Sequence, residues 1–285
     1  MRLKRPASSR PAIRACAGFT LAELIVVIVI TAIISGVVAV FLQAPVESYF
    51  DTARRAELTD TADTALRRMA RDLRLSLPNS VRVATSGGNT GIELLQTRTG
   101  GRYRADGDGG ATPADELDFT TTDSSFDFLG TLSNTPVASD LIVVYNLGIQ
   151  DADAYAGDNS SVVTGVAGST ISINAKQFPF ESPGNRFHVV SGPVSYVCSG
   201  VGTDASGNGT GELKRHWGYA IVAAQAVPPA SGTNNALLAD HVSACSIVYQ
   251  QGVTARSGLV SMQLQISREG ESVSLYHEVH VPNVP

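Results

Sequence analysis

One run of residues decides most of what this 285-residue chain can become. From Phe19 to Leu42 it reads FTLAELIVVIVITAIISGVVAVFL, 24 residues whose only charged side chain is Glu23. A helix of that length rises about 36 Å and so covers a hydrocarbon core of about 30 Å. Five basic residues, Arg2, Lys4, Arg5, Arg10 and Arg14, precede it with no acid among them. Positive charge on that side holds it in the cytoplasm and sends everything after Leu42 outward. A removable secretory signal fits less well, because its apolar region would span about 7 to 15 residues. The nearest small-residue junction, Ala44, is also followed by Pro45. A plain anchor accounts for the length but not for Glu23. A carboxylate inside an apolar span costs about 2.5 to 3.5 kcal/mol unless a partner compensates it.

The charge balance follows the same division. The whole chain carries a net charge of -5, but without the five N-terminal cations 16 basic residues face 26 acidic ones, a balance of -10. Such a remainder lacks the concentrated basic face that phosphate neutralisation requires, so no nucleic-acid partner is expected. With 43% hydrophobic and only 16% charged residues, the chain is also not a wholly disordered one.

After Pro45, which removes a backbone donor and is expected to bend the helix, the helical pattern resumes. Leu58, Ala62, Ala65, Leu66, Met69, Leu73 and Leu77 recur at three- and four-residue steps and define one apolar face. The opposite face is charged, with Asp63 and Arg67, and Arg68 and Asp72, spaced as i,i+4 pairs. Pro78-Asn79 stops the pattern.

From Ser80 the period changes to two. Leu259 to Ser267 alternates apolar with polar, and after Arg268-Glu269-Gly270 the run Val273 to Val279 does the same, which predicts a hairpin with one buried face. Further strands are expected at Gly91 to Thr97, Glu116 to Thr121, Leu141 to Leu147, Thr170 to Asn174, Arg186 to Val190, Val194 to Cys198, Glu212 to Ala220 and Val242 to Gln250. Loops rich in Gly, Asp, Asn and Ser are expected at Thr99 to Ala114, Asp151 to Ser161, Ser199 to Gly211 and Pro228 to Asn235. No linker marks a domain boundary. The predicted fold class is α+β: a long N-terminal hydrophobic helix whose second half packs on a largely antiparallel β-sheet domain.

Gly18-Phe19-Thr20-Leu21-Ala22-Glu23-Leu24, at the junction of a basic leader and an apolar helix, resembles the class III signal of type IV pilins and type II secretion pseudopilins. The resemblance implies cleavage between Gly18 and Phe19 by a prepilin peptidase, N-methylation of the new Phe19 amine, and pairing of Glu23 with the cationic N-terminus of a neighbouring subunit. Its organisation would be a leader over 1–18, a transmembrane and filament-core helix over 19–42, an amphipathic continuation over 43–78 and a periplasmic β-rich domain over 79–285. Ala53-Arg54-Arg55-Ala56, Thr64 to Met69, Pro193 to Cys198, Leu213-Lys214-Arg215, Ser274 to Val281 and Asn283-Val284-Pro285 are similar to the minor pilin-like proteins of the mannose-sensitive haemagglutinin (MSHA) pilus assembly system, which are related to the J-type pseudopilins. The loops Thr99 to Asp115 and Ser199 to Gly211 lie outside this likeness.

Cys16 would leave with the leader, so Cys198 and Cys245 remain as an even pair in an exported, oxidising setting, and a disulfide between them is expected. No CxxC pair exists and the five His are scattered, which disfavours zinc. His277-Glu278-Val279-His280 is one residue short of HExxH and, on a strand, would point its two histidines to opposite sides. Gly200-Val201-Gly202-Thr203-Asp204-Ala205 mimics a dinucleotide loop, but Ser206-Gly207-Asn208-Gly209 follows where a helix should start, so a glycine-rich hairpin loop is the better reading. Asp106 and Asp108, and Asp151, Asp153 and Asp158, offer hard oxygen ligands of the kind calcium takes, yet neither group completes a twelve-residue EF-hand loop. Solvated acidic turns are the favoured account, and no cofactor is expected.

No catalytic constellation accompanies these features, so the expectation is a structural protein and not an enzyme. By the resemblance it would be a single-pass protein of the bacterial inner membrane with its C-terminal domain in the periplasm, passing later to the tip or base of a pilus. It would take part in assembly, initiation or tip formation of an MSHA-type pilus. Its partners would be other minor and major pilins, the prepilin peptidase and methyltransferase, and the inner-membrane assembly platform. Two other readings remain open: a tip adhesin using the Gly/Asn loops, and a J-type pseudopilin of a type II secretion system.

Overall fold

The computed structural model describes residues 18–106, 114–230, 233–252 and 257–285. It contains one helix, α1 (Leu21–Arg74), followed by eleven strands: β1 (Arg82–Ser86), β2 (Asn89–Tyr103), β3 (Asp123–Leu129), β4 (Leu141–Val144), β5 (Ser160–Ala167), β6 (Thr170–Lys176), β7 (Arg186–Ser199), β8 (Gly211–Trp217), β9 (Asn234–Gln250), β10 (Ser257–Arg268) and β11 (Glu271–Pro282). The helix runs through Pro45. The chain divides into two compact units at Ala53/Arg54, inside the helix.

In the unit from Arg54 onward, all seven residues of the predicted apolar face of the helix are buried. Six of them, Leu58 to Leu73, share one core with Ile92 and Leu94 of β2, Val194 and Tyr196 of β7, Leu213 of β8, Val242 of β9, Met262 and Leu264 of β10 and Val279 and Val281 of β11. Each fully buried Leu or Met side chain contributes about 1.5 to 3 kcal/mol. The helix ends at Arg74, ahead of the predicted stop at Pro78-Asn79. Beyond it the backbone pairs with β2 instead: the Leu77 N–H donates to the Leu95 carbonyl at 2.8 Å and the Thr97 N–H to the Leu75 carbonyl at 3.0 Å.

Every strand pairing is antiparallel, and the pairings form two bodies that share β2 and β7. The sheet facing the helix is ordered β1-β2-β7-β8-β9-β10-β11. The other body is a closed ring, in which β2 pairs β3, β3 pairs β6, β6 pairs β5, β5 pairs β4, β4 pairs β7 and β7 returns to β2. Its interior holds a separate core that includes Tyr103, Phe126, Ile142, Ile171, Phe178 and Phe187. The sequence pattern predicts a sheet but not this closure.

Several expected boundaries change, each for a local reason. Glu116 to Thr121 is not a strand, and the strand lies at Asp123–Leu129. The Asp118 carboxylate accepts from the Thr120 N–H at 2.7 Å and from the Thr120 and Thr121 hydroxyls at 2.6 and 2.8 Å. That local bonding overrides the β-propensity of the threonines. Thr99 to Tyr103, expected in a loop, extends β2. Gly100 and Gly101 there are strand residues where a side chain has no room: a Cβ on Gly101 would lie 2.8 Å from Leu132 and 3.0 Å from the Phe187 ring. The two short strands expected between Arg186 and Cys198 are one continuous β7. β1 and β5 fall in stretches to which no strand is assigned above.

The largest departure concerns charge. Asp63 and Arg67 pair at 2.7 Å on the exposed face, as their spacing predicts. Asp72, expected on the same face opposite Arg68, is only 2% exposed. It lies 3.6 Å from Arg68 but 2.9 Å from the Arg215 guanidinium of β8, and the Tyr196 hydroxyl of β7 donates to it at 2.6 Å. Burial, with Asp72 beside it, pushes the Tyr196 phenol well above its ordinary range. Arg215 also reaches Gln96 at 3.3 Å and lies 5.1 Å from the ring centre of Trp217.

A second buried pair stands on the other side of β2. Glu93, 1% exposed, meets Arg82 at 3.1 Å. Arg82 stacks 3.5 Å from the centre of the Tyr155 ring and donates to the Val222 and Ala223 carbonyls at 2.9 and 2.6 Å, tying the segment after β8 to β1. Burial raises the Glu93 carboxyl above its ordinary range, partly offset by Arg82.

Removing one member of a buried ion pair leaves the other unpaired and costs about 3 to 5 kcal/mol. Asp72→Ala should lower stability by that order, read as the urea midpoint of fluorescence from Trp217, the chain's single tryptophan. Asp63→Ala, on the exposed pair, should cost no more than about 0.5 kcal/mol. Equal shifts would show that Asp72 does not anchor the helix to the sheet.

Candidate functional site

Among the described residues, Gly18-Phe19-Thr20 come first, without regular secondary structure, and α1 starts at Leu21. Thr20 stands at the N-cap and Glu23 three residues later, and the two side chains close a capping box. The Glu23 N–H donates to the Thr20 hydroxyl at 3.2 Å, while the Thr20 N–H and hydroxyl each donate to Glu23 Oε2 at 3.0 Å. A helix begins with four N–H groups that have no partner inside it, and this arrangement satisfies part of that need. Glu23 also supplies negative charge to the first turn, where the helix dipole favours it. The Thr-x-x-Glu spacing is visible in the sequence, and it was the signal for a local role of Glu23 that the motif reading above does not use.

Phe19 is 87% exposed, and a Cβ added at Gly18 would meet nothing within 4 Å. Every described side chain from Phe19 to Leu42 is exposed, so the apolar run has no partner surface among the described residues. An apolar stretch of this size requires a non-aqueous surrounding, either lipid or other apolar helices. The helix is long and apolar enough to cross a membrane. Glu23 sits in its first turn, where its carboxylate is already hydrogen-bonded.

The remaining candidates lie apart from this segment. Cys198 of β7 and Cys245 of β9 form the expected disulfide, with Cα atoms 6.4 Å apart. It joins strands on either side of β8 and closes a sequence separation of 47 residues. Asp106 is exposed and Asp108 lies outside the described residues. Asp151 has a left-handed φ of 67°. The Asp153 side chain accepts from the Tyr155 N–H at 2.9 Å, and the Asp158 N–H donates to the Asp153 carbonyl at 3.1 Å. These are hydrogen bonds of a turn. Among the described residues no three His, Cys, Asp or Glu side chains gather as a metal site. His277 and His280 lie on β11, as expected for a strand. Gly200 to Asn208 forms a loop between β7 and β8, where Asp204 accepts from the N–H groups of Ser206 and Asn208, each at 2.8 Å.

Residues 13–39 match the family model described as Prokaryotic N-terminal methylation motif. No curated protein and no solved structure matches the chain. The motif, the apolar helix that follows it and the antiparallel sheet domain support a type IV pilin-like or pseudopilin-like protein, anchored in the membrane by one pass.

Proposed function

We propose that the chain is a minor pilin-like subunit, of the MshO type, that takes part in the assembly, initiation or tip of an MSHA-type type IV pilus. The observation that carries this reading is the prepilin-type motif set on a fully exposed apolar helix with a carboxylate in its first turn. A prepilin peptidase cuts between Gly18 and Phe19 at the inner membrane, and the new Phe19 amine is methylated. The β-rich domain lies in the periplasm. Phe19 to Leu42 holds the subunit in the bilayer until the assembly platform extracts it, and lipid contacts are then exchanged for packing against the helices of other minor and major pilins.

In this mechanism Thr20 keeps the Glu23 carboxylate hydrogen-bonded while the subunit waits in the membrane. The cationic N-terminus of a neighbour then supplies the opposite charge, which turns an expensive buried carboxylate into half of an ion pair. The 207 residues after Pro78 would crowd a helical shaft, which favours a tip or initiating position. The role is structural: the disulfide and the Asp72 anchor hold the shape that neighbours meet.

Two variants separate the local role of Glu23 from the intersubunit one. Glu23→Gln keeps a side chain able to complete the capping box but removes the charge, whereas Glu23→Ala removes both. Both should be cleaved normally and both should fail to support pili, counted by electron microscopy of complemented null cells. Piliation restored by Gln but not Ala would reduce Glu23 to a helix cap. Gly18→Val meets no neighbour and should leave the fold unchanged, while the protein retains its leader and migrates as the full-length form. Normal processing of that variant would place the cut elsewhere.

A further inference from the structure

Among the described residues, the sheet has one long edge that nothing covers. The strands β3, β6, β5 and β4 are closed into the ring, and the five-residue β1 is held beneath the segment that Arg82 binds. β11 pairs with β10 alone, over the whole register from Ser257↔Pro282 to Arg268↔Glu271 and without a bulge, whereas β9–β10, β2–β7 and β8–β9 all carry irregularities. The turn at Glu269-Gly270 has φ of 49° and 83°, the left-handed pair of a two-residue type I′ hairpin. Arg268 and Glu271 are then a hydrogen-bonded pair, so the odd-numbered residues of β11 bond to β10. The N–H and C=O groups of Ser272, Ser274, Tyr276, Glu278 and His280 point outward. Among the described residues no backbone partner meets them.

Exposed edges are normally blunted by lysine, proline or a bulge. Between Ser272 and His280 there is no Lys, Arg or Pro. The side chains on this row are instead held in order: Gln265 donates to Ser272 at 2.9 Å, Gln263 to Ser274 at 3.2 Å and the Tyr276 hydroxyl to Glu278.

We propose that this edge receives a second copy of the same chain, β11 against β11 in antiparallel register about a two-fold axis through Tyr276. The outward row reads Ser, Ser, Tyr, Glu, His, and its charges suit this centre. Tyr276 faces its own copy, Ser274 faces Glu278 and Ser272 faces His280, so no like charges meet. An axis through Glu278 would instead oppose two carboxylates. Five hydrogen-bonded residue pairs form, joined by about ten backbone hydrogen bonds, and the paired tyrosines add an aromatic cross-strand contact. The pairing uses only residues of the unit from Arg54 onward and does not depend on the filament reading.

The test uses the full chain in detergent, in a Cys16→Ser background, under mild oxidation. Tyr276→Cys should give a covalent dimer whose mass map joins the two introduced thiols, because residues of a hydrogen-bonded antiparallel pair lie about 5.5 Å apart at Cα, within disulfide reach. Gln263→Cys, also at an exposed position but one strand inward, should give none, since three strand spacings of about 4.8 Å separate the two copies. Tyr276→Lys, which sets two ammonium groups face to face on a surface position, should lose the dimer by light scattering with its unfolding midpoint unchanged. Absence of the dimer with Tyr276→Cys, or equal yields at positions 276 and 263, would overturn the proposal. So would a cross-link in cell envelopes that joins position 276 only to a different protein.

Discussion

The rest of the structure depends on the apolar stripe that runs from Leu58 to Leu73 along the second half of α1. It buries against strands from both ends of the sheet, from β2 to β11, so segments almost two hundred residues apart in sequence are organised around one helix. Hydrophobic burial supplies the energy but little direction, because one apolar stripe can slide over another. Asp72 supplies the direction. Its carboxylate is matched by Arg215 and the Tyr196 hydroxyl at single positions on β8 and β7, and a turn of slippage would bury a charge without its partner.

The sheet is held at further points around that core. The Cys198–Cys245 bond spans β8, and Arg82 with Glu93 fastens the following segment over β1. At the hairpin end, Arg54 pairs with Glu269 at 2.6 Å and Arg55 with Glu271 at 2.7 Å, so the β10–β11 turn is fixed to the helix by exposed ion pairs. Such pairs contribute little stability individually. They orient a hairpin whose outer strand remains open, in contrast with the closed ring formed by β2 to β7.

What was legible beforehand was whatever depends on local period. The apolar stripe of the helix, the alternation in β10 and β11 and the apolar run behind a basic segment all follow from neighbours in the chain. What was hidden depends on partners far away. Asp72 has the spacing of an exposed i,i+4 pair with Arg68, and only the arrival of β8, 143 residues later, turns it inward. Gly100 and Gly101 have the composition of a loop and become strand residues because Phe187 and Leu132 press on them. Asp118 shows the opposite failure, in which a side chain binding its own next residues defeats a strand-like run of threonines. At the candidate site the motif was legible, whereas the Thr20–Glu23 box, signalled only by the Thr-x-x-Glu spacing, was not read from it, and the box gives Glu23 a task within its own chain.

The account rests on the apolar helix being a processed, membrane-held segment that starts at Phe19. Intact mass and N-terminal sequencing of the protein extracted from membranes test this most directly. The account predicts a chain that has lost residues 1–18 and begins with N-methylphenylalanine; a chain that still begins at Met1 would contradict it.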